Sequence, residues 1–450
     1  MALINPESDL SVSENFNIHK IGVTDGSLLQ SYEVAYRPIS DFRDSNRNPL
    51  EYVIAPSGTS FIDLQEHYFY VKLEVKRKDG AKLEYANATP WTSADDNDIV
   101  AIASNALHSL WSYVEVYVGD KQINCTNSTS YPYLSFFQSL INNSKTRQDT
   151  ILKASGLYLD NNEATAENPN YKDRRTLTAK GKACDFIGKL NIDLFKSDKF
   201  LIHSLPLRIK LVRSDDSFVL HHKKTASTET LYSVHLKEAK LVLTHKTATE
   251  NVIGAVERAL KLKPALYNFE RQLLKSFPIP VQSLNYSIEN AFTAQIPEKL
   301  IIAFVQTSAF NGRQDLNPFN FENCNLKSLQ IFIDGRKAGD IRADFDNNLY
   351  HEAFYKTMTD LNVFNENYEP SLLTPEIWAK KGFTFFCFDL TNDRQNLNSY
   401  ELIKRGHVRI TFEFAEALTD SYTALLMYTI PGIIQIDKYR NVELGTNFTA

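Results

Sequence analysis

Val408-Arg409-Ile410-Thr411-Phe412-Glu413-Phe414 alternates apolar and polar side chains without a break, and Leu207-Arg208-Ile209-Lys210-Leu211 does the same 201 residues earlier (408 − 207). A period of two is the signature of a strand with one face buried and one wet. Working outward, the pattern recurs in Phe69, Val71, Leu73 and Val75, in Val114, Val116 and Val118, in Leu190, Ile192 and Leu194, and in Leu329, Ile331 and Ile333. Phe383 to Leu390 and Tyr422 to Ile430 are apolar on both faces. Between Leu236 and Ala239 the phase slips by one residue, which predicts a bulge in a long strand. Helical signal is scarce. Tyr133, Phe136, Phe137, Leu140 and Ile141 follow Pro132 at helical spacing, and Pro suits a first turn. Tyr350, Phe354, Met358 and Leu361 suggest a second helix. Strands without long intervening helices mean antiparallel sheets, hence a sandwich or barrel.

The order of these segments repeats. Val114–Val118 and Leu329–Ile333 are each followed by a turn with Gly and Lys and then by a helix. Asn191-Ile192-Asp193-Leu194 is matched with Cys387-Phe388-Asp389-Leu390, and Leu207–Leu211 with Val408–Phe412. The expected organisation is a polar N-terminal arm (1–30), a first β unit (31–248), a linker (249–265) and a second β unit with a C-terminal tail (266–450). Residues 142 to 183 are polar and read as a surface loop.

Composition narrows the function. Of 450 residues 43% are hydrophobic and 23% charged, and Gly and Pro number 16 each, so a largely disordered or collagen-like chain is excluded. The net charge of −5 and the lack of a basic block argue against a sequence-specific nucleic-acid partner. Cys125, Cys184, Cys324 and Cys387 are far apart with no CxxC pair, so neither a disulfide framework nor a zinc site is expected. MALINPESDL at the start is polar, no secretory signal is expected, and no apolar run is long enough to span a bilayer. The N-x-S/T triplets at Asn87, Asn124, Asn127 and Asn142 are therefore expected to be unmodified.

Other motifs read as structural. Asp95, Asp96 and Asp98 lack the glycine that a calcium loop needs. His221 and His222 are adjacent and point to opposite faces of a strand, which does not suit one metal ion. Asp215-Asp216 reads as a turn. Lys172, Arg174, Arg175, Lys180 and Lys182 read as a solvated or inter-subunit surface. Gly181-Lys182-Ala183 is not a phosphate loop. No catalytic residue, cofactor or metal ligand is expected. The stretch to watch is Asn317-Pro318-Phe319-Asn320-Phe321, as a core plug or a subunit contact: Asn-Pro starts a turn and the two Phe share a face.

Several stretches together resemble the hexon-like, double jelly-roll major capsid proteins of the Polinton/Maverick elements and adintoviruses. They are Gly58–Leu64, Leu107–Trp111, Tyr131–Tyr133, Gly188–Phe195, Leu207–Ser214, Ala309–Gly312, Asn317–Phe321 and Phe385–Asp393. The resemblance covers roughly residues 58 to 436. In that family a His often stands where this chain has Asn191, so no shared chemistry depends on that side chain. The resemblance implies an all-β chain of two tandem jelly-roll sandwiches with a few short helices. It also implies a homotrimer that packs with neighbouring capsomers and a single jelly-roll penton or minor capsid protein into the icosahedral shell of a double-stranded DNA virus or virus-like element. Such a protein is made inside the host cell and resides in the virion capsid. A non-viral, lectin-like β-sandwich and an enzyme on a β scaffold are the rival expectations.

Overall fold

The computed structural model describes Phe16, Ile18 and residues 24–42, 48–83, 100–124, 129–159, 168–222, 232–293, 295–362, 373–392 and 403–445. Most of the expected N-terminal arm, the Asp95–Asp98 cluster, Asn87, Asn127 and Cys125 lie outside them.

The first half carries β1 (Leu28–Tyr36), β2 (Leu50–Ile54), β3 (Ser60–Arg77), β4 (Val100–Ile102), β5 (Trp111–Val118), β6 (Lys121–Gln122), β7 (Cys184–Gly188), β8 (Leu207–Arg213), β9 (Leu220–His222) and β10 (Tyr232–Ala248). The second carries β11 (Ala265–Ile279), β12 (Asn285–Phe292), β13 (Lys299–Gln306), β14 (Leu326–Ile333), β15 (Arg336–Arg342), β16 (Phe385–Asp389), β17 (Val408–Phe414), β18 (Tyr422–Ile436) and β19 (Val442–Leu444).

Four sheets do the main work. In the first half their orders are β1-β10-β3-β7 and β2-β8-β5-β6; in the second, β11-β18-β13-β16 and β12-β17-β14-β15. All neighbours within them are antiparallel. Setting aside β4, β9 and β19, each half has eight strands among the described residues, and both halves read 1-8-3-6 facing 2-7-4-5. That is the double Greek key of a jelly roll, made twice. The chain is a double jelly roll.

The alternation seen in the sequence becomes burial. In β17 every second residue is buried. In β8, Leu207, Ile209 and Leu211 are fully buried beside Arg208 and Lys210, which face outward. Phe304 meets Phe412 edge-on at 5.3 Å in the second sandwich, and Phe69 meets Tyr52 and Trp111 at 6.0 and 5.7 Å in the first. β16 is buried on both faces because the His351–Asp360 helix covers its outer side. The phase slip falls where the β10–β3 register jumps, between Leu236 and Glu238.

Two expectations are corrected. Residues 190–194 are not a strand: Asp193–Lys196 is a turn of 3-10 helix, and the strand in that slot is β7. The counterpart of β16 is therefore β7, with an offset of 385 − 184 = 201, equal to the β8–β17 offset of 408 − 207 = 201. Between β5 and β8 the halves then differ in length at one place, ahead of β7. It maps to residues 142–183, which are not a plain loop. The helices Lys145–Asp149 and Pro169–Leu177 lie there, and Gln148, Tyr171 and Arg174 are buried. The stretch 249–265, expected as a linker, holds a 13-residue amphipathic helix, Glu250–Leu262, whose Val252, Ile253, Val256 and Leu260 pack onto the first core.

The cores do not divide where the sheets do. Tyr267, Phe269, Ile434, Ile436 and Val442 of the second half join the first core, while Tyr133, Phe136, Phe137, Leu140 and Phe218 of the first half join the second.

Candidate functional site

The helix Ser130–Ile141 is the wedge between the jelly rolls. Its apolar residues recur at helical spacing, and Pro132 lies in its first turn, where an N–H would lack a partner anyway. It is buried nearly all round, because one side faces its own sandwich and the other faces the second.

The second half answers with Asn317–Phe321. Asn317 Oδ1 accepts the Phe319 N–H at 3.0 Å, closing the turn that Asn-Pro begins. Asn320 Nδ2 donates to Glu322 at 2.9 Å, and the Phe321 N–H donates to the Gly382 carbonyl at 2.8 Å. Pro318 is buried beside them. The turn aims both Phe rings at the helix. Phe319 stacks on Phe136 with centroids 4.6 Å apart, and Phe321 lies 4.6 Å from Phe137. Phe319 is 2% exposed and Phe321 is 0% exposed, so these rings are engaged inside the chain. Tyr133 completes the cluster, stacked on Phe310 at 5.7 Å. Sequence reading picked out Asn317–Phe321 but not its partners Phe136 and Phe137. Their only signal was a helix apolar over too wide an arc to be served by one sandwich.

A second set of contacts seals the edge of β11. Asp193 Oδ2 accepts the Gln272 N–H at 2.9 Å, and Lys199 Nζ donates to the Leu266 carbonyl at 2.9 Å. Tyr267 Oη accepts the Ile202 N–H and donates to the Phe200 carbonyl, each at 3.0 Å. At the chain-terminal pole Arg440 ion-pairs with Glu257 of the linking helix, and His203 Nε2 lies 3.2 Å from the same carboxylate.

The remaining sequence candidates do not converge. His221 packs edge-on against Tyr171 and His222 against Tyr232. No group of three His, Cys, Asp or Glu side chains among the described residues is placed to hold a metal ion. Asp216 pairs with Arg213 at 3.7 Å beside the turn into β9. Arg174 and Arg175 are corrected from a surface to an interior role: they are 2% and 6% exposed, and Arg174 donates to the Ile102 carbonyl. Lys172, Lys180 and Lys182 remain exposed. Asn124 uses its side chain as a strand would, accepting from the Val116 N–H at 2.7 Å and donating to the Val114 carbonyl at 2.5 Å. Among the described residues no helix is long and apolar enough to cross a membrane.

The buried histidines are structural. His67 Nε2 accepts the Leu190 N–H, which leaves Nδ1 to donate to the Leu64 carbonyl. Burial pushes His67 down to about 4 and His108 and His221 to about 3. A cleft of about 210 Å³ runs beside the Ser130–Ile141 helix, and among the described residues Glu270 and Lys299 are its charged lining. What the molecule presents is interlocking surface.

The fold defines a class, the double jelly roll, and known proteins share it along nearly the whole chain. A chain of the Sputnik virophage structure matches with a TM-score of 0.63 and 11% identity, over 100% of this chain and 94% of that one. The mavirus major capsid protein matches at 0.55 and 11% identity, over 100% and 98%. The Faustovirus major capsid protein matches at 0.52 and 8% identity, over 96% and 92%. In sequence, an uncharacterized protein of Caenorhabditis elegans is 21% identical over 397 residues, 87% of this chain and 92% of that one. No family model matches.

Proposed function

We propose that the chain is a structural major capsid protein. In this reading it forms homotrimers, and the trimers build the icosahedral shell of a double-stranded DNA virus or virus-like element, closed by a single jelly-roll penton protein. The observation that carries it is the twofold use of one eight-strand topology, 1-8-3-6 facing 2-7-4-5, in two bodies locked by shared cores. A binding module needs one sandwich and a ligand site. Two equal sandwiches fixed side by side instead supply two of six similar units around an axis, and threefold rotation supplies the rest. The full-length likeness in fold to the mavirus and Faustovirus major capsid proteins supports the same reading.

The Polinton/Maverick and adintovirus assignment rests on the sequence resemblance, and a relative in a nematode fits an element carried by animals. The division into arm (1–30), first jelly roll (31–248), linker (249–265) and second jelly roll with tail (266–450) belongs to this proposal, as do the virion location and the lack of enzymatic activity.

The test is the mass of the purified full-length chain by size-exclusion with light scattering. Three chains of 51.3 kDa give about 154 kDa. A monomer that persists at all concentrations overturns the proposal.

A further inference from the structure

We propose that the pole formed by the linking helix, the start of β11 and the turn after β18 is a docking face for an anionic lipid bilayer. The proposal goes beyond the assembly reading and holds for a single chain as well as for an oligomer.

The fold brings four large apolar side chains to the surface there. The helix Glu250–Leu262 fully buries Leu260 alone, its Val252, Ile253 and Val256 are half-buried, and its last residue, Leu262, is 85% exposed. Leu266 opens β11 beside Gln435 of β18 and is 45% exposed. Phe200, 38% exposed, lies next to it: the Phe200 carbonyl accepts from Tyr267 Oη at 3.0 Å, and Lys199 Nζ donates to the Leu266 carbonyl at 2.9 Å. Tyr439, 73% exposed, sits in a turn that Asp437 closes by accepting the Tyr439 and Asn441 N–H groups at 2.8 and 2.9 Å. A shallow cleft joins helix and turn, lined by Leu260 to Pro264 on one side and by Asp437, Lys438 and Asn441 on the other. One exposed leucine needs no explanation, but apolar side chains gathered on one face mark a contact.

Cations are interleaved with them. Arg258, Lys261 and Lys263 flank Leu262, Lys199 adjoins Phe200, and Lys438 Nζ lies 4.9 Å from the centre of the Tyr439 ring; all five are exposed. The acids are fewer, and two are occupied within the chain. Glu257 is paired with Arg440, and Asp437 is engaged in its own turn. Asp198 and Glu443 are exposed against the five cations, which makes this face basic on a chain of net charge −5.

Charge and apolarity together select the occupant. A nucleic acid would satisfy the cations and leave Leu262 and Leu266 in water. A bilayer interface takes both kinds of side chain. Leucine and phenylalanine enter the acyl boundary, tyrosine rests at headgroup depth, and lysine and arginine reach anionic headgroups along their apolar stems.

The experiment is flotation of the full-length chain with vesicles of phosphatidylcholine carrying about 30% phosphatidylserine, beside vesicles of phosphatidylcholine alone. The chain is expected to float with the anionic vesicles at least about 10-fold better than with the neutral ones, and less as salt is raised. Leu262→Ser and Tyr439→Ser are each expected to weaken binding about 5-fold, and Lys261→Glu/Lys438→Glu at least about 10-fold. Leu349→Ser and Lys172→Glu, exposed elsewhere, are expected to leave it unchanged. No flotation, or equal flotation with neutral vesicles, by the unaltered chain overturns the proposal without reference to any variant. Capture of a double-stranded DNA fragment that is insensitive to Leu262→Ser and Tyr439→Ser, with no flotation, assigns the cations to nucleic acid and overturns it. A change in the light-scattering mass of the two serine variants makes the pole a contact between copies and overturns it as well. The trimer test is separate: a monomer that floats with anionic vesicles supports this proposal while the assembly reading fails.

Discussion

Phe319 and Phe136 lie 4.6 Å apart and nearly parallel, one from each jelly roll, so each ring's burial depends on the other half being in place. Removing a buried Phe costs about 3–5 kcal/mol. Phe319→Ala is therefore expected to lower chemical-denaturation stability by that amount. The Phe136→Ala/Phe319→Ala double variant should fall short of the sum by about 0.5–1.5 kcal/mol, the coupling of an aromatic pair. Strict additivity would mean that the rings do not act together. The buried histidines make a second residue-scale prediction. With folded values of about 4 for His67 and about 3 for His108 and His221, against 6.5 for the free group, the unfolded chain takes up protons first as pH falls. Their contribution is complete above pH 6.5 and is lost as pH drops toward 4, with a slope of about 1.4 kcal/mol per pH unit for each histidine. Melting temperature followed from pH 7 to 4 should fall accordingly, and His67→Gln should flatten the slope. At this scale the sequence was half legible. Asn-Pro-Phe-Asn-Phe announced a turn with two rings on one side, but the rings that meet them lie more than 180 residues away, beyond the reach of local periodicity.

Elements were legible where burial is one-sided. β5, β8, β14 and β17 alternate because one face of each is wet, and the β10 bulge showed as a break in that alternation. Residues 190–194 misled because three apolar side chains at spacing two can equally line a loop that folds over a core, as Leu190, Ile192 and Leu194 do. The helix Pro169–Leu177 was missed because its buried face is made of Tyr171, Arg174 and Arg175, which read as polar. The helix Glu250–Leu262 was missed because its apolar stripe is short and interrupted by Gly254. That glycine offers a test: nothing lies within 4 Å of the Cβ it lacks. Gly254→Ala should raise stability by about 0.5–1 kcal/mol in a thermal melt. Gly156→Ala should do the opposite by a larger margin. Its φ is +79°, and an added Cβ would fall 2.6 Å from that of Ala106.

At the scale of the whole molecule, the halves share no motif long enough to be recognised by itself, yet their sheets are wired identically. That agreement shows once β7 replaces residues 191–194 as the counterpart of β16. The cores exchange side chains across the halves, so the two bodies should melt as one unit; two separate calorimetric transitions would contradict this. Subunit interfaces in the assembled protein are expected to bury well over ~2,000 Å², as permanent assemblies do. The decisive property of the assembled protein is the arrangement of bodies around an axis. Cryo-electron microscopy of the purified full-length chain measures it. A threefold ring of six near-equal lobes, two contributed by each chain, is the predicted image. Isolated two-lobed particles, or assemblies without a threefold axis, would contradict it.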